Sequence, residues 1–179
     1  MAKMVTKAAG ISPRFSKSLA RRRLRPTRSP RTNKQRRCVA TGFIDPAIWA
    51  EVVDLNLTAN WRLIQAMDPL LRAAPAGRAI FVTSGVARGV FPYWGPYVVS
   101  KAGLETLVKI YAGEIAKTRV RANLIDPDIV RTRLRARAFP GEDPSRLPPP
   151  ESVANAFLAL ALPECAHNGE LVMASAPSP

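Results

Sequence analysis

Tyr97 and Lys101 stand four residues apart in the run Tyr-Val-Val-Ser-Lys, a spacing that puts both on one face if the run is helical. A phenol can give up a proton, and an ammonium beside it favours the phenolate. The pair could therefore pass a proton to or from a substrate oxygen. Ser84, thirteen residues before Tyr97, offers a hydroxyl that could hydrogen-bond the same oxygen. A proton donor, a charge that tunes it and an orienting hydroxyl suit reduction of a carbonyl or the reverse oxidation. Each residue also has a plainer reading. Tyr-x-x-x-Lys arises by chance, Ser84 could be a strand-end cap, and Lys101 could be a solvated helix residue.

The elements around these residues decide whether they can meet. Asp45-Pro46 reads as an N-cap followed by proline in the first helical turn. Ile48, Val52, Leu55, Trp61, Ile64, Met67 and Leu71 follow at helical spacing, with a bend expected near Pro69. Gly77 to Ser84 is a short β-branched run, the pattern of a strand buried on both faces. A glycine-rich, aromatic loop leads to Pro96, which opens a second helix carrying Tyr97 and Lys101. Arg119 to Ile125 is a second buried strand. Residues 126–150 form a long loop with one helical turn around Thr132 to Arg137. A third helix opened by Pro150 and a third strand, Gly169 to Ala174, complete the order. Helices alternating with strands predict an α/β fold, a partial doubly wound, Rossmann-like parallel sheet of about three strands and three main helices. Such sheets bind ligands at the carboxyl ends of their strands, where Ser84 and Tyr97 fall.

The net charge of +14 is not spread along the chain. Residues 1–44 hold 13 Lys and Arg and no acidic residue, while residues 45–179 hold 14 basic and 13 acidic. The expected organisation is a disordered basic arm over 1–44 and a folded part over 45–179. The arm reads as a solvated charge run rather than a nucleic-acid site, and its composition also fits a transit peptide. Cys38, Cys165 and His167 have no spacing that completes a metal site. No apolar run approaches the ~18 residues that span a bilayer, and a cytoplasmic protein is expected.

Together these segments resemble the short-chain dehydrogenases/reductases. Trp49 to Ala59 is similar to the family's central helix, whose asparagine would be Asn56. Ile80 to Gly85 is similar to the strand ending in the catalytic serine, Ser84. Tyr97 to Gly103 resembles the Tyr-x-x-x-Lys segment. Arg121 to Leu134 resembles the strand and the loop that touches a nicotinamide, through Pro127, Val130 and Thr132. The resemblance covers residues 46 to about 175 and implies NAD or NADP as cofactor. By it, Tyr97 is the general acid/base, Lys101 binds the ribose hydroxyls, Ser84 holds the substrate carbonyl and Asn56 supports a water-linked proton relay. On its own Asn56 reads as a mid-helix polar group bonding locally.

Two departures from the family pattern stand out. Asp128 replaces a glycine and adds negative charge near the nicotinamide, at a position where side chains other than glycine rarely take a positive φ. The glycine-rich strand–turn–helix that cradles a pyrophosphate has no counterpart in the sequence. The expectation is therefore weakened dinucleotide binding and an open sheet edge beside the strand that ends at Ser84. Pairing of two copies through helices 46–74 and 96–117 is expected from the resemblance, with a small carbonyl or alcohol as substrate. The competing expectations are a catalytically silent remnant acting only through subunit association, and a nucleic-acid binder working through the arm.

Overall fold

A computed structural model describes residues 39–174. Most of the arm expected over 1–44 lies outside the described residues. Val39 is already packed, its N–H donating to the Tyr93 carbonyl at 2.9 Å, and a 3-10 turn follows at Thr41–Phe43.

The first long helix begins where its cap residues place it. The Asp45 carboxylate accepts from the Ala47 N–H at 2.8 Å, and α1 spans Pro46–Val53. The continuation is not regular. Asp54–Thr58 forms a π-turn, closed by the Ala59 N–H donating to the Asp54 carbonyl, and α2 then runs Ala59–Ala73. Pro69, where a bend was expected, sits inside α2, and the irregular segment is the π-turn that precedes it. One extra residue in that turn rotates the face that follows it. Leu57 therefore meets the core with Ile64 and Leu71, while Leu55, Trp61 and Met67 stay exposed.

Three parallel strands make one sheet in the order β1-β2-β3: Arg78–Val82, Arg121–Asp126 and Leu171–Met173. The register sets Arg78 opposite Arg121 and Leu124 opposite Leu171. A tight turn at Gly77 delivers the chain into β1, because any β-carbon there would collide with the Leu71 carbonyl. α3 (Gly95–Glu114) crosses from β1 to β2. A short α4 (Arg133–Ala138) and then α5 (Ala154–Ala161) lie between β2 and β3.

The central strand β2 explains the layering. Leu124 faces a cluster with Phe81, Leu104, Val108, Tyr111 and Ile115, so α3 and α2 cover that side. Its neighbour Ile125 faces Val153, Leu160 and Ala174, with Ile80, Phe157 and Val172, under α5. Alternate residues of one strand thus feed two cores, as a sheet covered on both faces requires. β1 is an edge, and its last residue, Val82, is 43% exposed. No helix among the described residues is long and apolar enough to cross a membrane.

Candidate active site

Ser84 leaves β1 in extended conformation and heads the 3-10 turn Gly85–Arg88 without a side-chain capping bond. The strand-end cap reading of this serine therefore falls. Its neighbour Thr83 is tied down twice, by its N–H to the Ile125 carbonyl (2.8 Å) and by its hydroxyl to Glu105 Oε1 (2.8 Å).

The Gly95–Glu114 helix brings Tyr97 and Lys101 to the same strand end. Lys101 Nζ lies 6.0 Å from the Tyr97 ring centre and donates to the Val82 carbonyl at 2.9 Å, two residues before Ser84. Lys101 is half-buried, and desolvation pulls its pKa below the ordinary lysine value. A solvated lysine would show neither feature.

Asn56 sits in the π-turn, a type of irregularity frequent at functional sites. Its Nδ2 donates across 44 residues of sequence to Ser100 Oγ at 3.1 Å, and Ser100 in turn donates to the Tyr97 carbonyl at 2.8 Å. The reading of Asn56 as a locally bonded group is corrected by this contact. Its own carbonyl accepts from Asn60 Nδ2 at 2.8 Å.

The loop after β2 is held by Asp126 Oδ1, which accepts from the Asp128 N–H at 3.1 Å. Asp128 adopts φ 56°, so the positive φ expected to demand glycine is met by an aspartate in a local side-chain turn. Pro127 is half-buried, and Val130 packs into the α5-side core. Thr132 Oγ1 caps α4 by accepting from the Arg135 N–H at 3.1 Å.

An ionic cluster anchors the turn that follows Ser84. Arg88 bridges Glu105 Oε1 (2.9 Å) and Asp126 Oδ2 (2.6 Å), two carboxylates that are 6% and 2% exposed. It thereby pins the turn after Ser84 to both α3 and β2. Neither Arg88 nor Ser100 was legible as a site residue. A lone arginine in a glycine-rich loop, or a serine inside Tyr-x-x-x-Lys, carries no spacing signal that names its partner.

Residues 33–166 match the family profile described as enoyl-(acyl carrier protein) reductase. The chain belongs to the short-chain dehydrogenase/reductase family. The oxidoreductase YciK of Escherichia coli K12 is 38% identical over 116 residues, covering 65% of this chain and 46% of that protein. The solved structure of E. coli YciK superposes with a TM-score of 0.73 at 33% identity, over 78% of this chain and 57% of the other. A short-chain dehydrogenase of E. coli CFT073 complexed with NADPH gives the same TM-score at 34% identity, over 78% and 58%. The chain spans about half the length of the relatives it matches.

Lys101, a desolvated ammonium at a strand's carboxyl end, is a donor suited to the hydroxyls of a ribose. Among the described residues no G-x-G-x-x-G turn offers its backbone amides to a pyrophosphate.

Proposed function

We propose that this chain is the catalytic half of an NAD(P)-dependent oxidoreductase that interconverts a carbonyl and a secondary alcohol. The observation that carries the reading is Lys101, which reaches the strand end next to Ser84 from the same helix face as Tyr97, one turn on. In this reading the Tyr97 hydroxyl gives its proton to the substrate oxygen in reduction and takes it back in oxidation. The Lys101 ammonium favours the phenolate, and the Ser84 hydroxyl orients the carbonyl. Asn56 holds the π-turn against Ser100 and supports a water-linked proton path to Lys101. Lys101 also contacts the ribose, with Pro127, Val130 and Thr132 beside the nicotinamide. The bound nicotinamide supplies the hydride, and the relative complexed with NADPH favours NADP over NAD.

The same geometry supports impaired binding. Lys101 is engaged with the Val82 carbonyl, and the diphosphate end of the cofactor has no partner among the described residues. Exposed apolar side chains on α2 (Trp61, Met67, Leu70) and α3 (Val99, Ile110) support pairing of two copies through these helices.

Fluorescence titration with NADPH and NADH is expected to give dissociation constants well above the micromolar range. Micromolar binding with turnover overturns the impairment. Carbonyl reduction at saturating cofactor is expected to fall roughly 10²- to 10⁴-fold in Tyr97→Phe. Activity that survives this change overturns the assignment of Tyr97. Absence of activity in the unaltered chain favours the silent-remnant reading instead.

A further inference from the structure

The candidate proton donor has an aromatic neighbour that leads away from the helix. Trp94, at the N-terminus of α3, meets the Tyr97 ring edge-on, with ring centres 6.1 Å apart and planes at 61°. Trp94 also packs on Phe139, 5.8 Å away at 31°. Phe139 ends α4, in the long connection between β2 and α5. The Arg135 guanidinium sits 3.8 Å from the Phe139 ring centre, a cation–π distance. Glu142 grips that guanidinium with both oxygens, at 2.6 Å to Nε and 2.7 Å to Nη2. Arg131, Arg133, Arg135 and Arg137 alternate in the sequence, the pattern of a solvated basic face, but Arg135 is engaged by Glu142 and by the Phe139 ring.

The connection has little else to hold it there. α4 is six residues long and buries none of them, and Leu134 on it is exposed. A single helical turn of this length has no stability of its own. A connection this long within a compact domain is ordinarily mobile unless its own side chains pin it. Its fixed points include Val130 in the core under α5, the Thr132 cap, the Arg131 N–H on the Pro148 carbonyl (2.8 Å), and the stack on Trp94. The cap and the Arg131 bond are internal to the segment. The stack ties it to the helix that carries Tyr97.

We propose that the Arg135–Phe139–Trp94 stack, braced by Glu142, is a positioning device. It holds residues 131–142 against the turn that carries Tyr97 and supplies the flat apolar wall beside the phenol. Its functional meaning rests on the reading of Tyr97 as proton donor, but the contact can be tested without catalysis. Arg135, Phe139 and Glu142 are positioning residues, acting through Trp94.

Amide hydrogen exchange on the full chain tests this with Phe139→Leu, Phe139→Tyr and Glu142→Gln. Phe139→Leu and Glu142→Gln are expected to raise exchange in residues 131–142 and 94–98 roughly three- to tenfold, leaving β2 unchanged. Phe139→Tyr, which keeps the ring, is expected to keep wild-type rates. Wild-type exchange in the first two variants overturns the proposal. So does acceleration that extends equally to β2, which would mark general support of the fold. Loss of protection in Phe139→Tyr also overturns it, since stacking would then not be the cause. Carbonyl reduction that survives Tyr97→Phe would defeat the proposed function and leave the exchange result standing, so the two failures are separable.

Discussion

Asn56 donates from Nδ2 to Ser100 Oγ at 3.1 Å, and this bond joins the π-turn to the helix turn that holds Tyr97. Ser100 is fully buried, and its own proton goes to the Tyr97 carbonyl. Ser100→Ala removes the acceptor and leaves a half-buried amide without it, which costs about 1–3 kcal/mol. Urea unfolding should show that loss. A variant as stable as wild type would mean that Asn56 finds water instead and that the two helices are not coupled there.

Arg88 makes a sharper prediction, because it neutralises two carboxylates that water hardly reaches. Arg88→Met leaves Glu105 and Asp126 buried together without a counter-charge. Breaking a buried pair from one side costs about 3–5 kcal/mol, enough to unfold a marginal domain. Arg88→Lys keeps the charge but loses the forked geometry, so it should fall between the two. Denaturant midpoints for the three proteins check the order; equal midpoints would place the cluster in water.

Much of this arrangement was legible in the sequence, for identifiable reasons. Pro46, Pro96 and Pro150 mark helical starts, although Pro150 opens a 3-10 turn and α5 itself begins at Ala154. The β-branched runs ending near Ser84 and Ile125 are strands as expected, but only β2 is buried along its length, since β1 is an edge with Val82 exposed. The candidate site residues Asn56, Ser84, Tyr97 and Lys101 were named because family spacing fixes them in one dimension. The partners that hold them were not. Asn56 and Ser100 are 44 residues apart, and Arg88 and Asp126 are 38 apart. No local pattern encodes such distances. The π-turn escaped because Asp54–Thr58 continues the helical spacing of its neighbours, while Pro69, the residue that drew the eye, lies within α2.

The link between α2 and α3 should respond to pH at both ends. The Tyr111 hydroxyl donates to Asp68 Oδ1 at 2.7 Å, and Asp68 also accepts from Arg72 Nε at 2.7 Å. The Arg72 bond, with help from Tyr111, holds Asp68 below its ordinary value against the opposing effect of burial. Its contribution is therefore present above about pH 4, the ordinary carboxylate value, and lost as pH falls through the lower folded value. Burial and the Asp68 carboxylate raise Tyr111, so that contribution is present below about pH 10 and lost only as pH rises through the higher folded value. Tyr111→Phe should cost about 1–2 kcal/mol at neutral pH, with the difference shrinking in acid. A cost that stays the same across this pH range would show that the hydroxyl bond does not depend on the Asp68 charge, and no cost at any pH would show that it contributes nothing.

The Lys101 side chain does a second thing that its catalytic reading does not require. Parallel strands direct alternate residues to alternate neighbours, and Thr83 already bonds to β2, so the Val82 carbonyl faces the open side of β1. Lys101 Nζ occupies that carbonyl and sets a charge on an edge that would otherwise invite another strand. Lys101→Met should therefore yield larger, concentration-dependent species in sedimentation velocity, whereas Lys101→Arg and Tyr97→Phe should sediment as wild type does. Because desolvation lowers its pKa, Lys101 loses its charge at a lower pH than an ordinary lysine, near 10.4. Association of the wild-type chain should thus grow as pH is raised toward that value, and the Met variant should lack this dependence. Sedimentation of Lys101→Met identical to wild type at every pH would mean that other features guard the edge.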